Sequence, residues 1–215
     1  MMKRRVLSPG AVMAPVPAVM VSCGREGETP NIITIAWTGI VNSNPPMTYI
    51  SVRKERFSHD IIADTKEFVI NLTTEELAFA TDWCGVKSGR DFDKFREQKL
   101  TPVTSEKVSC PSIGESPLSI ECRVTEVKEL GSHDMFLAEI VSMTAQEELM
   151  DENGELHLEK AGLMAYSHGH YFPVSSREIG RFGYSVMKPK TRKKYEAAKR
   201  ARRRRGSRIR AGKRE

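Results

Sequence analysis

Asn44-Pro45-Pro46 interrupts an otherwise strand-like region, and no other tripeptide limits the local topology of this chain as tightly. Neither proline has an N–H to offer a ladder, and each restricts the residue before it. The tripeptide is therefore a turn. The stretch around it, NIITIAWTGIVNSNPPMTYISVR from Asn31 to Arg53, reads as two strands. Met47, Tyr49, Ser51 and Arg53 alternate with Thr48, Ile50 and Val52, so a period of two gathers a hydroxyl and a guanidinium on one surface. Thr34, Ala36 and Thr38 form the matching face of the preceding strand. A face of Thr, Ala, Ser and Arg is poor core and suits an anion-binding floor.

The residues after Arg53 point to the same ligand chemistry. Within Phe57 to Asp64, Ser58 is a natural N-cap and Ile61, Ile62 and Thr65 make an apolar side, so a short helix is expected to start there. Its unpaired N–H groups and positive dipole end, pointing back toward Arg53, favour a phosphate. EFVINL, from Glu67 to Leu72, reads as a compact strand. Thr73-x-x-Glu76 fits a capping box, which places a second helix from there to about Gly85. Val86 to Phe95 follows as a polar loop with a glycine pivot, leading into one helical turn. It is either a lid over a ligand or, as the pattern alone favours, a solvated loop anchored by Phe92 and Phe95.

The flanking regions are mostly strand. Ala14 to Ser22 runs into a glycine-rich hairpin, and Pro117 to Val127 and Met135 to Thr144 alternate as a second hairpin. Asp151 to Glu155 resembles the start of a calcium loop but lacks the downstream ligands, so it reads as a turn. Tyr166, His168, His170 and Tyr171 crowd around Gly169. Two histidines without a third ligand predict no metal site, leaving an aromatic ligand wall or simple surface placement.

Composition divides the chain by charge. The net charge is +6, yet residues 187–215 hold fifteen Lys or Arg and two Glu, a local +13, which leaves −7 on the other 186 residues. The expected organisation is a domain over 1–186 followed by a basic, disordered tail over 187–215. Cys23, Cys84, Cys110 and Cys122 show no zinc or C-x-x-C spacing and read as four reduced thiols. Cys84 lies near the loop at Val86 but has only Lys87 as a basic neighbour in sequence, which favours a bystander over a redox thiol. Pro9, Pro15 and Pro17 break the apolar run near the N-terminus, so no secretory h-region is expected and the placement is cytoplasmic. No window reaches the length of a membrane span.

The ordered set PVPAVMVS (Pro15 to Ser22), TPNIITIAW (Thr29 to Trp37), NPP (Asn44 to Pro46), SVR (Ser51 to Arg53), FVIN (Phe68 to Asn71), SGRDFDKF (Ser88 to Phe95) and GSHDMFLAEIV (Gly131 to Val141) resembles the flavin reductase-like family of FMN-binding split barrels, with the flavoredoxin branch nearest. The resemblance spans about residues 10 to 173. It implies a mainly β fold, a Greek-key split barrel of about six strands with a few helices. It also implies a homodimer with flavin mononucleotide (FMN) near the subunit interface. Carried onto this chain, the flavin positions are Asn31, Thr34, Ala36 and Trp37 near the ring and ribityl chain, Ser51 and Arg53 at the phosphate, and Ser58 with His59 at the helix start. Asn71, Ser88 and Lys94 are further carry-overs, Tyr166 joins the flavin-binding set through the aromatic wall around Gly169, and His133 matches a position toward the reductant side.

Physical chemistry agrees with most of this assignment. Arg53 offers a permanent charge in a planar fork, and Ser51, Ser58 and backbone amides complete an anion cradle. Thr34 and Ala36 are small enough to let backbone groups reach a flavin edge, where donors near N1 and C2=O tune the potential. Trp37 either stacks or closes the barrel, and the usual burial of large aromatics favours core. No dinucleotide fingerprint is present, so NADH or NADPH, if it is the reductant, binds at the flavin face. The implied function is an FMN-dependent oxidoreductase accepting hydride from a reduced nicotinamide. Two alternatives stand beside it: an FMN-binding electron carrier serving a redox-partner protein, and a polyanion- or nucleic-acid-associated protein acting through the basic tail.

Overall fold

The computed structural model describes residues 2–197. Two short strands open the ordered part, β1 (Val16–Pro17) and β2 (Val19–Cys23), and β2 is buried along its whole length. The reason lies in its neighbours on both faces. Val19, Val21 and Cys23 point into one core, while Met20 points the other way into a second. The chain then forms β3 (Asn31–Ile35), β4 (Thr38–Ser43) and β5 (Pro46–Arg53). The predicted turn at Asn44 and Pro45 is present, and Pro46 begins β5.

The expectation of two strands between Asn31 and Arg53 needs correction, because the chain breaks at Ala36 and Trp37 and makes three. The break sends them to opposite ends of the sheet. After β5 come α1 (Phe57–Thr65), β6 (Glu67–Leu72), α2 (Ala78–Val86), α3 (Lys94–Glu97), and the small pair β7 (Pro102–Val103) and β8 (Ser112–Ile113). Two long strands, β9 (Leu118–Glu129) and β10 (His133–Ala145), form the second predicted hairpin. Two further strands, β11 (Met164–Ser167) and β12 (His170–Pro173), pair with each other and with β1.

The main sheet has seven antiparallel strands in the order β3-β2-β6-β9-β10-β5-β4. Consecutive β5 and β6 are separated by the β9–β10 hairpin, a long-range crossing made through α1. Ile33 and Ile35 from one end of this order share a single core with Ile50 and Val52 from near the other, around Phe68, Ile70 and Phe136. Only a curled sheet allows that. The Ser51 N–H donates to the Trp37 carbonyl at 3.0 Å, one rung beyond the Thr38–Ile50 pair, so the β4–β5 ladder runs up to the link that leads from β3. The result is a mainly β barrel with few helices.

The helices cover the barrel by their apolar sides. Ile61 and Ile62 of α1 enter the first core, and the helix ends at Lys66 in the left-handed region, whose N–H donates to the Ile62 carbonyl. Ala80 and Cys84 of α2 join Met20, Ile32, Phe95, Leu100 and Ile113 in the second core. Both predicted helix starts are corrected. Ser58 is buried inside the first turn of α1, which begins at Phe57 after Arg56, and its hydroxyl accepts from the Asn31 amide. Thr73 spends its hydroxyl on the Ala18 carbonyl rather than on a cap, and α2 starts only at Ala78. In each case a buried tertiary acceptor or donor outcompetes the local cap.

All four cysteines are free and buried. The chain divides into two compact units, Met1–Ser176 and Arg177–Glu215. In the second, residues 189–197 are helical, where the sequence supports only a transient helix around Glu196 to Ala201. Pro189 explains the start, since its missing N–H costs nothing at a first helical position. The run Arg202 to Arg205 lies outside the described residues. Among those described, no helix is long and apolar enough to cross a membrane.

Candidate functional site

Two adjoining cavities in the first unit collect most of the residues singled out above. The first, about 410 Å³, is lined by Thr34, Ala36, Trp37, Ser51, Arg53, Arg56, Gly85, His133, Tyr166 and Tyr171, among others. The second, about 460 Å³, is lined by Asn31, Arg53, Arg56, Ser58, Lys87, Ser88, Gly89, Arg90 and Lys94, with others. Ile33, Arg53 and Arg56 belong to both, so the two form one continuous cleft. It runs along the seam where β3 and β5 approach. The shared face predicted for these strands exists, although they are not partners in one ladder.

One end of the cleft is aromatic. Trp37 is 45% exposed, so the expected core placement is corrected: the break after β3 turns it outward. Its ring centroid lies 4.6 Å from that of His133. Burial and the nearby Arg53 guanidinium both lower the His133 pKa, which favours a neutral imidazole. Tyr166 and Tyr171 face each other at 5.5 Å, and the Tyr171 hydroxyl donates to Asp82. His168 and His170 do not line the cleft.

The other end is cationic. Arg53, Arg56, Lys87, Arg90 and Lys94 meet there with Glu55 as the only acidic lining residue. Arg53 is held 3.4 Å from Glu55 and is half exposed. The Arg56 N–H donates to the Arg53 carbonyl, a tight turn that brings both side chains to one place just before α1. Lys94 is buried and donates to the carbonyls of Ile32 at 2.6 Å and Cys84 at 2.7 Å. Its loss of hydration pulls the amine down to about 8, against an ordinary value of 10.5. Cys84 moves the opposite way: burial pushes it up to about 11, an inert thiol in the core.

The loop between α2 and α3 covers this cationic end, where the pattern favoured a solvated loop. Arg90 donates to the Glu55 carbonyl and stacks over the Phe57 ring at 5.3 Å. Gly89 passes so close to Asn31 that an added Cβ would lie 2.1 Å from its Oδ1. That oxygen is buried and has no hydrogen-bond partner. It is an acceptor without a donor on the wall of a cleft.

Two predicted residues stand outside. The Asn71 amide donates to the carbonyls of Met20 and Val69 and to Ser22 Oγ, and its oxygen accepts from the Ile113 N–H and the Ser119 hydroxyl. It stitches four parts of the fold and lines neither cavity. His59 lies 2.9 Å from Asp134 and packs edge-on against Phe136, tying α1 to β10 beside His133 rather than facing the cleft. Arg56, Asp82 and Gly85, not singled out from the sequence, also line the cleft; for Arg56 the signal was its place three residues after Arg53, while nothing local marks Asp82. A cluster of Asp151, Glu155 and His157 sits elsewhere, and its hydrogen bonds close the predicted turn.

The architecture has known counterparts. Flavoredoxin of Desulfovibrio vulgaris (Miyazaki F) superposes with a TM-score of 0.78 at 27% identity, over 84% of this chain and 98% of that one. Flavoredoxin of Methanosarcina acetivorans gives 0.77 at 26% identity, over 86% and 100%. In sequence, an uncharacterized protein of Archaeoglobus fulgidus is 32% identical over 151 residues, 70% of this chain and 84% of its own length. The model of the flavin reductase like domain matches residues 13–175, which hold β1 to β12 and every residue of the cleft. This chain therefore belongs to the flavin reductase-like family of split barrels.

Proposed function

We propose that the protein is an FMN-dependent oxidoreductase, with the flavin phosphate at the cationic end of the cleft and its ring system at the aromatic end. The observation that carries this reading is the continuity of the two cavities through Arg53 and Arg56. One amphipathic ligand, apolar and planar at one end and anionic at the other, satisfies both. The unpartnered Asn31 Oδ1 fits the same group, since a polyhydroxyl chain between ring and phosphate has the donors it lacks.

Each residue then has a task. Arg53, Arg56 and Lys94 neutralise the phosphate, with Ser58, Ser88 and the first-turn amides of α1 as hydrogen-bond donors. Thr34, Ala36 and Ser51 give backbone access to the polar edge of the ring. Trp37, Tyr166 and Tyr171 wall the ring and exclude water. His133, packed at a tilt against Trp37, bounds the side at which a reductant approaches. Bound FMN supplies the hydride and electron transfer chemistry itself. The proposed donor is NADH or NADPH, and electrons pass on to an acceptor.

A second reading, an electron carrier without a small-molecule substrate, draws on the likeness to flavoredoxins. Anaerobic addition of NADH or NADPH to the purified yellow protein separates the two. Prompt bleaching of the visible band is expected for the reductase. Bleaching only by a reduced partner protein selects the carrier, and a colourless protein that cannot be reconstituted with FMN sinks both.

A further inference from the structure

The cleft leaves the most unusual feature of the chain without a role. Residues 187–215 carry fifteen basic side chains, nine of them Arg, against two Glu. Lys188, Lys190, Arg192, Lys193 and Lys194 are all exposed. None belongs to an ion pair among the described residues. Tyr195, the one aromatic of the arm, is already engaged: its hydroxyl donates to Glu178, and the Arg181 guanidinium stacks 4.9 Å from its ring centroid.

We propose that this arm docks on the phosphate backbone of nucleic acid without reading its sequence. Four observations select that partner. One cation for every two residues places charges about 3 Å apart along a helix and about 7 Å apart along an extended chain. Duplex DNA offers roughly one negative charge per 1.7 Å, a density that acidic protein surfaces seldom approach. A membrane surface is the poorer match, because insertion needs an apolar face and the arm has only Met187, Tyr195 and Ile209 as large apolar residues. Sequence reading needs free aromatics or positioned side chains, and Tyr195 is occupied. The rest of the chain carries −7, so it repels a polyanion and the arm must supply the attraction.

The test uses the full-length chain and three probes: a mixed-sequence 30-base-pair DNA duplex, a 30-nucleotide RNA, and vesicles containing 30% phosphatidylserine. Both nucleic acids are expected to bind at 50 mM salt, with affinity falling about a thousandfold or more by 200 mM if six or more phosphates are contacted. Two duplexes of unrelated sequence should bind within threefold of each other. A variant carrying Arg202→Gln, Arg203→Gln, Arg204→Gln and Arg205→Gln should lose tenfold or more, with a salt slope shallower by about 0.9 per contact removed. A chain ending at residue 186, checked for a retained cooperative thermal transition, should lose the binding altogether. The proposal is overturned by absence of nucleic-acid binding at 50 mM salt or by its retention in both variants. Tighter binding to the vesicles, or a preference above tenfold for one nucleic acid or one sequence, overturns it equally.

Discussion

Arg53 and Lys94 show how differently two cations at one cavity behave. Arg53 is half exposed and shares its charge with Glu55, so its replacement leaves the fold alone and subtracts from the ligand. Arg53→Ala should weaken FMN binding by about 1.5 kcal/mol, the lower end of the range for a charged hydrogen bond because of its exposure. A fluorescence titration reads this as roughly a tenfold higher Kd, and an unchanged value would move the phosphate site elsewhere. Lys94 titrates near 8 because burial penalises its charged form. Unfolded, the same amine holds its proton to about 10.4, so between these values the unfolded chain binds more protons and stability rises with pH. Flavin affinity should move the other way. Below pH 8 the amine is already charged and meets the phosphate directly; above it, binding must first take up a proton. Affinity should therefore decline from about pH 8 upward, and a pH-independent Kd between 7 and 9.5 would remove Lys94 from the phosphate site.

The loop from Lys87 to Asp93 is the element on which access to the cationic end depends. It is held by Arg90 against the start of α1 and by the close passage of Gly89 over Asn31. A methyl group at Gly89 has nowhere to go, meeting Asn31 Oδ1 at 2.1 Å and Phe57 Cδ1 at 2.8 Å. Gly89→Ala should lift the loop, weakening FMN binding while the apo protein still unfolds cooperatively. Calorimetry with and without FMN checks this: the flavin-induced rise in thermal midpoint should shrink while the apo transition persists. A full-sized rise in the variant would show that the loop does not seal the site.

At the scale of the molecule, β4 ends the sheet with exposed Ile40 and Val41 on an edge that no strand among the described residues pairs, beside the outward Trp37. Natural sheets blunt such edges with charges or cover them, and β4 has no charged residue. We propose that two copies of the chain pair over this edge. Light scattering should give twice the monomer mass, and Ile40→Lys with Val41→Lys should shift the protein toward monomer. A monomer at all concentrations would leave the edge unexplained.

Period-two alternation alone placed Thr48, Ile50 and Val52 inside and Ser51 with Arg53 outside, and the missing N–H groups of Pro45 and Pro46 alone made the turn before them. Such patterns are local, so they are legible in any stretch long enough to show them. Composition likewise separated the basic arm from the acidic remainder. The hairpin of β2 and β3 was legible, but the pairing of β6 with β9 and of β5 with β10 was not, because it depends on partners dozens of residues away. Neither was the burial of Glu121, whose carboxylate sits in a strand and accepts the N–H groups of Glu106 and Lys107. Asn71, Ser58 and Thr73 carry side chains equally suited to a ligand, a cap or a distant backbone group, and only the closed barrel decided which. Curling the sheet brought Thr34 and Ser51 to one seam and turned Trp37 outward, and it made Arg53 common to two cavities: short-range propensity chose the strands, and the long-range closure of their edges built the cleft.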